Sequence, residues 1–415
     1  MFRFISQLAW KNLMRYKRRT LITALAIAMG IGMYIGVDSM LKSAEQESER
    51  NLHDFETGSG VITTKAYWDS KERIPTSEYI EHSNVLLQSL SDAGLQAAPR
   101  IQAQGELIVY EDPYPVDGSM RVILTGIDPV RDEKVFKLQK TLSKGRFLKE
   151  QNPEVILGSW IAEKLNADVG YPITIVTRTV NGYMQTIDAT VVGIIDAPDP
   201  VINRTGVYLP LEYLQEMLEM PQGATHIFIN FNMSNVNKNE QKINEILLNQ
   251  PMLMYHSWEK LAEDYLAIAG AKQKGTSFIL LLVFIIAAVG ISNTMLMAVY
   301  ERMRELGMLR AMGMEDADIK NLFFIEAGLI GIIGAVFGVV LGIAFDFYLV
   351  TYGFDFSMFL KDIDIGYRVG GAFHGIWNIT TMISCFFIGA VIAVLVSIFP
   401  VRRGLKKTIV ECLRK

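Results

Sequence analysis

The sequence predicts an α-helical membrane protein with four transmembrane helices and a large α+β extracytoplasmic domain inserted between helices 1 and 2. Three observations lead there. Thr20–Val37, Gly275–Tyr300, Ala327–Phe345 and Gly375–Val401 contain no Asp, Glu, Lys or Arg, in a chain of 415 residues that is half hydrophobic. Basic residues cluster beside these stretches on one side. Between the first two lies a long polar region of short strand-like and helix-like runs.

A helix rises 1.5 Å per residue, so about 20 apolar residues cross the hydrocarbon layer. Phe278–Ile291 alone holds eleven Leu, Ile, Val and Phe, worth roughly −3 to −7 kcal/mol of insertion. The expected order is an N-terminal segment 1–19, a first span 20–41, the outer domain 42–275, a second span 276–300, a charged helix 301–320, a third span 322–350, an outer loop 351–375, a fourth span 376–400 and a tail 401–415. Segments 1–19, 301–322 and 401–415 together hold 16 basic and six acidic residues, or +10, whereas the whole chain is −4 and the remainder therefore −14. Positive-inside bias puts these three segments, and both termini, in the cytoplasm. Met1–Leu41 starts basic, but its apolar stretch is long for a signal peptide and no small-x-small site precedes Lys42, so a retained anchor is expected.

The outer domain has no cysteine; Cys385 falls in the last span and Cys412 in the tail. It must hold together by its core, for which it is long enough as two subdomains. Residues 38–56 read as a polar helix growing out of the first span. Trp258, Leu261, Ala262, Tyr265, Leu266 and Ala269 lie at helical spacing, with no Pro before the second span. Two helices continuous with two spans would make a stalk. Strands are expected at 61–64, 104–110, 121–126, 154–157, 173–177, 186–195 and 226–232, around a turn at Asp112–Gly118. Helices are expected at 78–93, stopped by Gly94, and at 159–165, 211–220 and 238–249.

Catalytic signatures are missing. No Gly-x-x-x-x-Gly-Lys-Ser/Thr loop, His-x-x-x-His or Cys-x-x-Cys occurs, and the five histidines are scattered. Gly158-Ser159-Trp160 lacks the second glycine of a nucleophile elbow. There is no basic groove for nucleic acid. The basic residues are accounted for by membrane topology and lipid headgroups. No enzyme activity and no cofactor or metal in this chain are expected.

Ionisable groups at membrane depth are costly. Asp38 and Asp346 fall near outer span ends, where solvation at the interface is expected. Glu326 begins the third span, within reach of Arg302, Arg304 or Arg310. Gly334, Gly338 and Gly342, four apart, form a small face for close helix packing. Met29, Met33 and Met40 share a face of the first span, and Phe278 and Met295 stand on the second. Soft thioethers suit either ordinary packing or a cleft that accepts acyl chains.

Tyr300–Asp318 is charged, helix-compatible and clamped between two apolar spans. It can neither cross lipid nor form core, so it lies on a membrane face open to another protein. Glu301/Arg304 and Arg302/Glu305 are opposite charges three apart, which stiffen a helix by a few tenths of a kcal/mol each. Gly307 and Gly313 weaken it and read as a close-contact point and a C-terminal stop.

Glu301-Arg302-Met303-Arg304-Glu305-Leu306-Gly307-Met308-Leu309-Arg310-Ala311-Met312-Gly313 resembles the coupling-helix motif of MacB/FtsX-type ABC permeases, the superfamily that includes the LolC and LolE lipoprotein-releasing subunits. Trp10-Lys11-Asn12-Leu13 with Arg18-Arg19-Thr20 is similar to the amphipathic opening of the same superfamily. Phe324-Ile325-Glu326-Ala327, Gly145-Arg146-Phe147-Leu148 and Glu154-Val155-Ile156-Leu157-Gly158 are similar too. The resemblance covers most of the chain. It implies a bacterial inner-membrane permease with a periplasmic outer domain, paired with a second permease chain and with two ABC ATPase subunits. Those subunits bind ATP and Mg. Movement of the coupling helix is passed to the periplasmic domain, and often nothing crosses the membrane. Within the superfamily, extraction of lipoproteins from the outer leaflet and their transfer to a periplasmic carrier is the first expectation. The alternatives are MacB-like efflux of peptides or drugs, and FtsX-like regulation of periplasmic hydrolases.

Overall fold

The structure, a computed structural model, describes residues 2–15, 17–111, 114–149, 152–355 and 372–413. The chain divides into two compact units, one built on residues 45–268 and the other on the segments before and after it. Helix α1 (Phe2–Arg15) precedes α2 (Lys17–Leu52), which runs through the first apolar stretch and on through the polar residues beyond it without a break. A π turn, His53–Thr57, follows, and Gly58 at φ +55° ends it.

The 45–268 unit carries ten strands: β1 (Gly60–Thr64), β2 (Gln96–Glu111), β3 (Tyr114–Ile127), β4 (Leu142–Gly145), β5 (Glu154–Gly158), β6 (Pro172–Arg178), β7 (Met184–Ile195), β8 (Gly206–Pro210), β9 (His226–Asn230) and β10 (Leu253–Ser257). Pairing closes a six-stranded ring: β2 with β3, β3 with β8, β8 with β5, β5 with β7, β7 with β6 and β6 back to β2. Alternation along β6 turns Ile173 and Ile175 inward to meet Ile101, Leu107, Leu124 and Val155. β2 is long because it pairs along two separate stretches of one ten-stranded sheet. Gln96–Arg100 pairs with β9, while Gly105–Ile108 pairs with β6. The β9 side continues through β1 to β10.

Short helices fill the connections: α3 (Lys65–Asp69), α4 (Ser83–Asp92), α5 (Pro129–Val135), α6 (Ser159–Lys164), α7 (Pro200–Thr205), α8 (Leu211–Met217), α9 (Val236–Leu247) and α10 (Trp258–Leu261). α4 and α9 cover the β9 side through Leu86, Leu90, Ile243 and Leu247. The helix expected at 78–93 starts five residues late. Ile80 exchanges backbone hydrogen bonds with Ala224, which pulls the chain into a bridge, and His82 at φ +48° redirects it. Strand β8 ends in a proline and is buried at every position, so it shows no alternation to read. The expected Asp112–Gly118 turn is narrower, since β3 begins at Tyr114; Asp112 and Pro113 lie outside the described residues.

The second unit resumes with α11 (Glu263–Glu301), α12 (Met303–Ala311), α13 (Asp316–Tyr352), the paired β11 (Phe354–Asp355) and β12 (Ala372–Phe373), α14 (Ile379–Leu405) and α15 (Ile409–Leu413). Among the described residues, α2, α11, α13 and α14 are long and apolar enough to cross a membrane. Most of the expected 351–375 loop (356–371) and the last two basic residues of the tail lie outside the described residues. Gly334, Gly338 and Gly342 of α13 lie against Ile27, Ile31 and Ile35 of α2, the two helices advancing together four residues at a time. Gly331 of α13 meets Ala390 and Ala393 of α14. Asp38 and Asp346 are not solvated at an interface: Asp38 is 9% exposed and Asp346 fully buried.

Candidate functional site

Helix α12 is short because its ends are fixed separately. Arg302, at φ −105° and ψ 16°, breaks α11 from α12. At the other end Gly313 at φ +94° donates to the Arg310 carbonyl at 3.1 Å, and Met314 donates to Leu309 at 3.0 Å. This is a left-handed helix stop. Met312–Glu315 then turn the chain into α13. The charged segment is therefore two helices and not one, and the break separates Glu301 from Arg304.

One face of α12 is turned inward. Met303 and Leu306 pack with Val299, Ile319, Phe323 and Val401. A Cβ on Gly307 would stand 2.9 Å from Cys412 Cβ, so α15 lies directly on that glycine. Arg310 is held too: it donates to the Lys407 carbonyl at 2.7 Å and pairs with Asp316 at 2.9 Å.

Behind α12 sits a buried charge network. Arg302 Nη1 donates to both Glu326 oxygens, at 3.0 and 3.1 Å, with side-chain exposures of 7% and 6%. Of the three arginines in reach by sequence, Arg302 is the partner. Its Nε also donates to Glu305 at 3.2 Å. Asn12 of α1 donates to Glu326 at 2.6 Å, and Arg15 of α1 donates to Glu305 at 3.1 Å. Burial works against the Arg302 charge, but Glu326, backed by Glu305, more than offsets it and raises its pKa. Three elements, α1, α12 and α13, thus share one set of charges.

The opposite face is open. Glu301, Arg304, Ala311 and Gly313 are exposed, and so are Met308 (46%) and Met312 (75%). Arg304, Met308, Ala311 and Met312 stand at i, i+4, i+7 and i+8, a single helical stripe. The two methionines were passed over in the sequence, although this spacing marks them. Asn12 and Arg15 carry no local signal, because their partners lie about 300 residues away. A cavity of about 590 Å³ lies beside this stripe, lined by Leu8, Asn12, Arg15, Leu309 and Met312 among others.

The five side chains read as a lipid-accepting cleft do not come together. Met29, Met33 and Phe278 point outward, Met40 is half-buried, and Met295 is 1% exposed in the core with Ile27, Ile31 and Ile291. The helical period explains it: α2 meets its neighbours through Thr23, Ile27 and Ile31, and Met29 and Met33 fall on the far face. A cavity of about 320 Å³ does lie between α2 and α11, lined by Ile22, Ala26, Gly30, Val283, Ile286 and Gly290 among others. Thr23 and Thr294 hydroxyls, 3.1 Å apart, bridge the two helices there.

Comparison with known proteins matches residues 20–246 to the family model of the MacB-like periplasmic core domain and residues 277–409 to that of the FtsX-like permease C-terminal region. An uncharacterized ABC transporter permease of Methanocaldococcus jannaschii is 29% identical over 156 residues, 38% of this chain and 36% of that protein. A probable export ATP-binding/permease protein MacB of Pseudomonas entomophila is 21% identical over 100% of this chain and 59% of its own length. The lipoprotein-releasing system transmembrane protein LolC of Xylella fastidiosa is 24% identical over 83% of this chain and 82% of its own length. The chain therefore spans under two thirds of the first two relatives.

Proposed function

The chain belongs to the MacB/FtsX-type family of ABC transporter permeases, multi-pass and non-catalytic transmembrane subunits, and from that premise we propose that it couples ATP hydrolysis by two separate ATPase subunits to lipoprotein extraction. In this reading it sits in the bacterial inner membrane with both termini cytoplasmic, paired with a second permease chain. It draws lipoproteins from the outer leaflet and passes them to a periplasmic carrier. ATP and Mg stay on the partner subunits. The observation that carries the coupling is the two-sided α12. Its exposed stripe of Arg304, Met308, Ala311 and Met312 suits a docking ATPase. Its buried side is tied through Arg302 and Glu326 to the start of α13. A push on the stripe moves charges that α1 and α13 must follow, because separating them inside the bundle costs several kcal/mol.

The apolar cavity between α2 and α11 supports acyl-chain entry at that seam, and the LolC relative's two-way coverage supports lipoprotein as cargo. The MacB relative, which aligns with the whole chain, supports a second reading: efflux of peptides or drugs. Reconstitution with the partner subunits separates them. ATP-dependent transfer of a triacylated lipoprotein to a soluble carrier, blocked by Ala26→Trp in the cavity, is the expected result. ATP-dependent macrolide transport without lipoprotein release would move the reading to efflux.

A further inference from the structure

The glycine stripe of α13 has a fourth member. Four residues beyond Gly342, on the same face, stands Asp346, fully buried, with neither carboxylate oxygen hydrogen-bonded. The glycines at 334, 338 and 342 meet Ile27, Ile31 and Ile35, so one more step of four on each helix sets Asp346 against Ser39 of α2. Ser39 is itself buried. Its hydroxyl is committed to α14's approach: it donates to the Ile376 carbonyl at 2.8 Å and accepts the Ile376 N–H at 3.0 Å. Beside it, Asp38 accepts from Asn378 Nδ2 at 2.6 Å. Asp38 is close enough to repel a charge on Asp346.

Two carboxyl groups thus share one enclosure between α2, α13 and the start of α14. Asp38 has one amide donor, and Asp346 has beside it only the Ser39 hydroxyl, which is already given to Ile376. Among the described residues neither forms an ion pair. An ionised carboxylate held out of water without donors or a counter-charge costs several kcal/mol, and glycine packing this close leaves no room for bulk solvent. Ionisable groups at this depth mark pathways and sites. Ser39, the Ile376 carbonyl and the two carboxyl groups offer oxygen; Tyr34 and the buried Cys385 thiol also stand near Asp38, and no cluster of three or more His, Cys, Asp and Glu lies among the described residues. That donor set suits a proton or a hard alkali-metal ion and not a soft transition metal.

We propose that Asp346 and Asp38 form a cation-binding site, taking one proton or one alkali-metal ion between α2, α13 and α14. With the cation in place the two carboxyl groups hold α2 to α13 at the outer end of the glycine contact. Without it they repel, and α2 is released from α13 at that end. The site is independent of the cargo and of the ATPase.

The test uses the full chain in nanodiscs, with choline chloride holding ionic strength constant. Na⁺, K⁺ and pH are varied separately, and the thermal unfolding midpoint is read. Wild type is expected to gain about 2 °C for each tenfold rise in the effective cation. A response to Na⁺ or K⁺ at fixed pH identifies an alkali ion, and a response to pH alone identifies a proton. Asp346→Asn is expected to abolish the response and to be at least as stable as wild type in choline, since it removes an uncompensated charge. A purely structural aspartate would give the opposite stability change. If Asp346→Asn does not fold, Asp38→Asn is expected to raise the cation concentration at half-effect about tenfold. A wild-type midpoint indifferent to Na⁺, K⁺ and pH, an equal response in Asp346→Asn, or an unshifted titration in Asp38→Asn would each overturn the assignment.

Discussion

Removing both partners of the Arg302–Glu326 pair should cost clearly less than the two single removals added together. Two unit charges about 4 Å apart interact by about 4 kcal/mol at an effective dielectric of 20, and these two stand at 3.0 Å with side chains under a tenth exposed. Glu326→Met leaves the Arg302 guanidinium buried. Its remaining partner, Glu305, is 40% exposed, so solvent screens that contact and it recovers little. The change also strips the Asn12 amide of its acceptor, adding about 1 kcal/mol. Together the loss is about 3–5 kcal/mol. Arg302→Met strands Glu326 with only Asn12 as a donor and should cost a similar amount. The double variant carries neither charge and fills the space with apolar volume, so it should lie about 2–3 kcal/mol above the sum of the singles. Reversible unfolding in mixed micelles, run as a double-mutant cycle, gives that coupling directly. A double variant whose loss equals the sum of the two singles within about 0.5 kcal/mol would refute the buried pair as the link between α12 and α13.

Gly338→Ala should cost about 1–3 kcal/mol by overpacking, because its Cβ would stand 2.8 Å from Ile31 Cβ; Ile31→Ala in the same chain should restore part of the loss in an unfolding titration. Met308→Glu with Met312→Glu should abolish binding of the ATPase subunits in pull-down while leaving the permease's own unfolding midpoint unchanged, because both side chains are exposed. Burial, aided by Arg100 nearby, holds His226 down to about 3, so between that value and 6.5 the unfolded chain binds a proton that the fold does not. Stability is then present above pH 6.5 and lost as pH falls, by about 1.4 kcal/mol per unit. The denaturant midpoint should therefore fall less between pH 7 and pH 5 in His226→Phe than in wild type.

The membrane half was legible because its signals are long and local. A run such as Gly275–Tyr300 lacks charge over its whole length, and lipid leaves the backbone no alternative to a helix. The α12 segment was legible as charged and helix-compatible, and its glycines as a contact and a stop. What failed was orientation. Met29 and Met33 share a helical face, but α2 meets α13 through Ile27, Ile31 and Ile35 and α11 through Thr23 and Gly30, positions that read in sequence like the rest of the span. The same holds for Asp346. Counted along the chain it sits at the end of a span, where water is expected, whereas in space it continues a stripe of glycines into a sealed contact. Strands β8 and β10 escaped because burial on both faces or pairing at a sheet edge erases alternation. The closed ring of the outer unit rests on long-range pairs such as β3 with β8 and β6 with β2, to which no local pattern points.

The two ends of α13 carry opposite solutions to one problem. Near the start of α13, Glu326 has a full complement: two hydrogen bonds from Arg302 and one from Asn12. Between five and six turns on, neither Asp346 oxygen is hydrogen-bonded, although the Ser39 hydroxyl lies beside it. Between them run Gly334, Gly338 and Gly342, with no side chain to hold the helices in one register. Small residues at four-residue spacing let two helices approach closely and gain through dispersion and backbone contact, which tolerates sliding better than interdigitated side chains do. Register must then be set at the ends. Near the start of α13 a saturated ion pair ties it to Arg302, with Asn12 of α1 beside it. At the other end, under the proposed cation site, Asp346 holds α2 only when the positive charge is supplied. α13 is thus held to α12 and α1 near its start, while under the proposed assignment its hold on α2 at Asp346 depends on a bound cation.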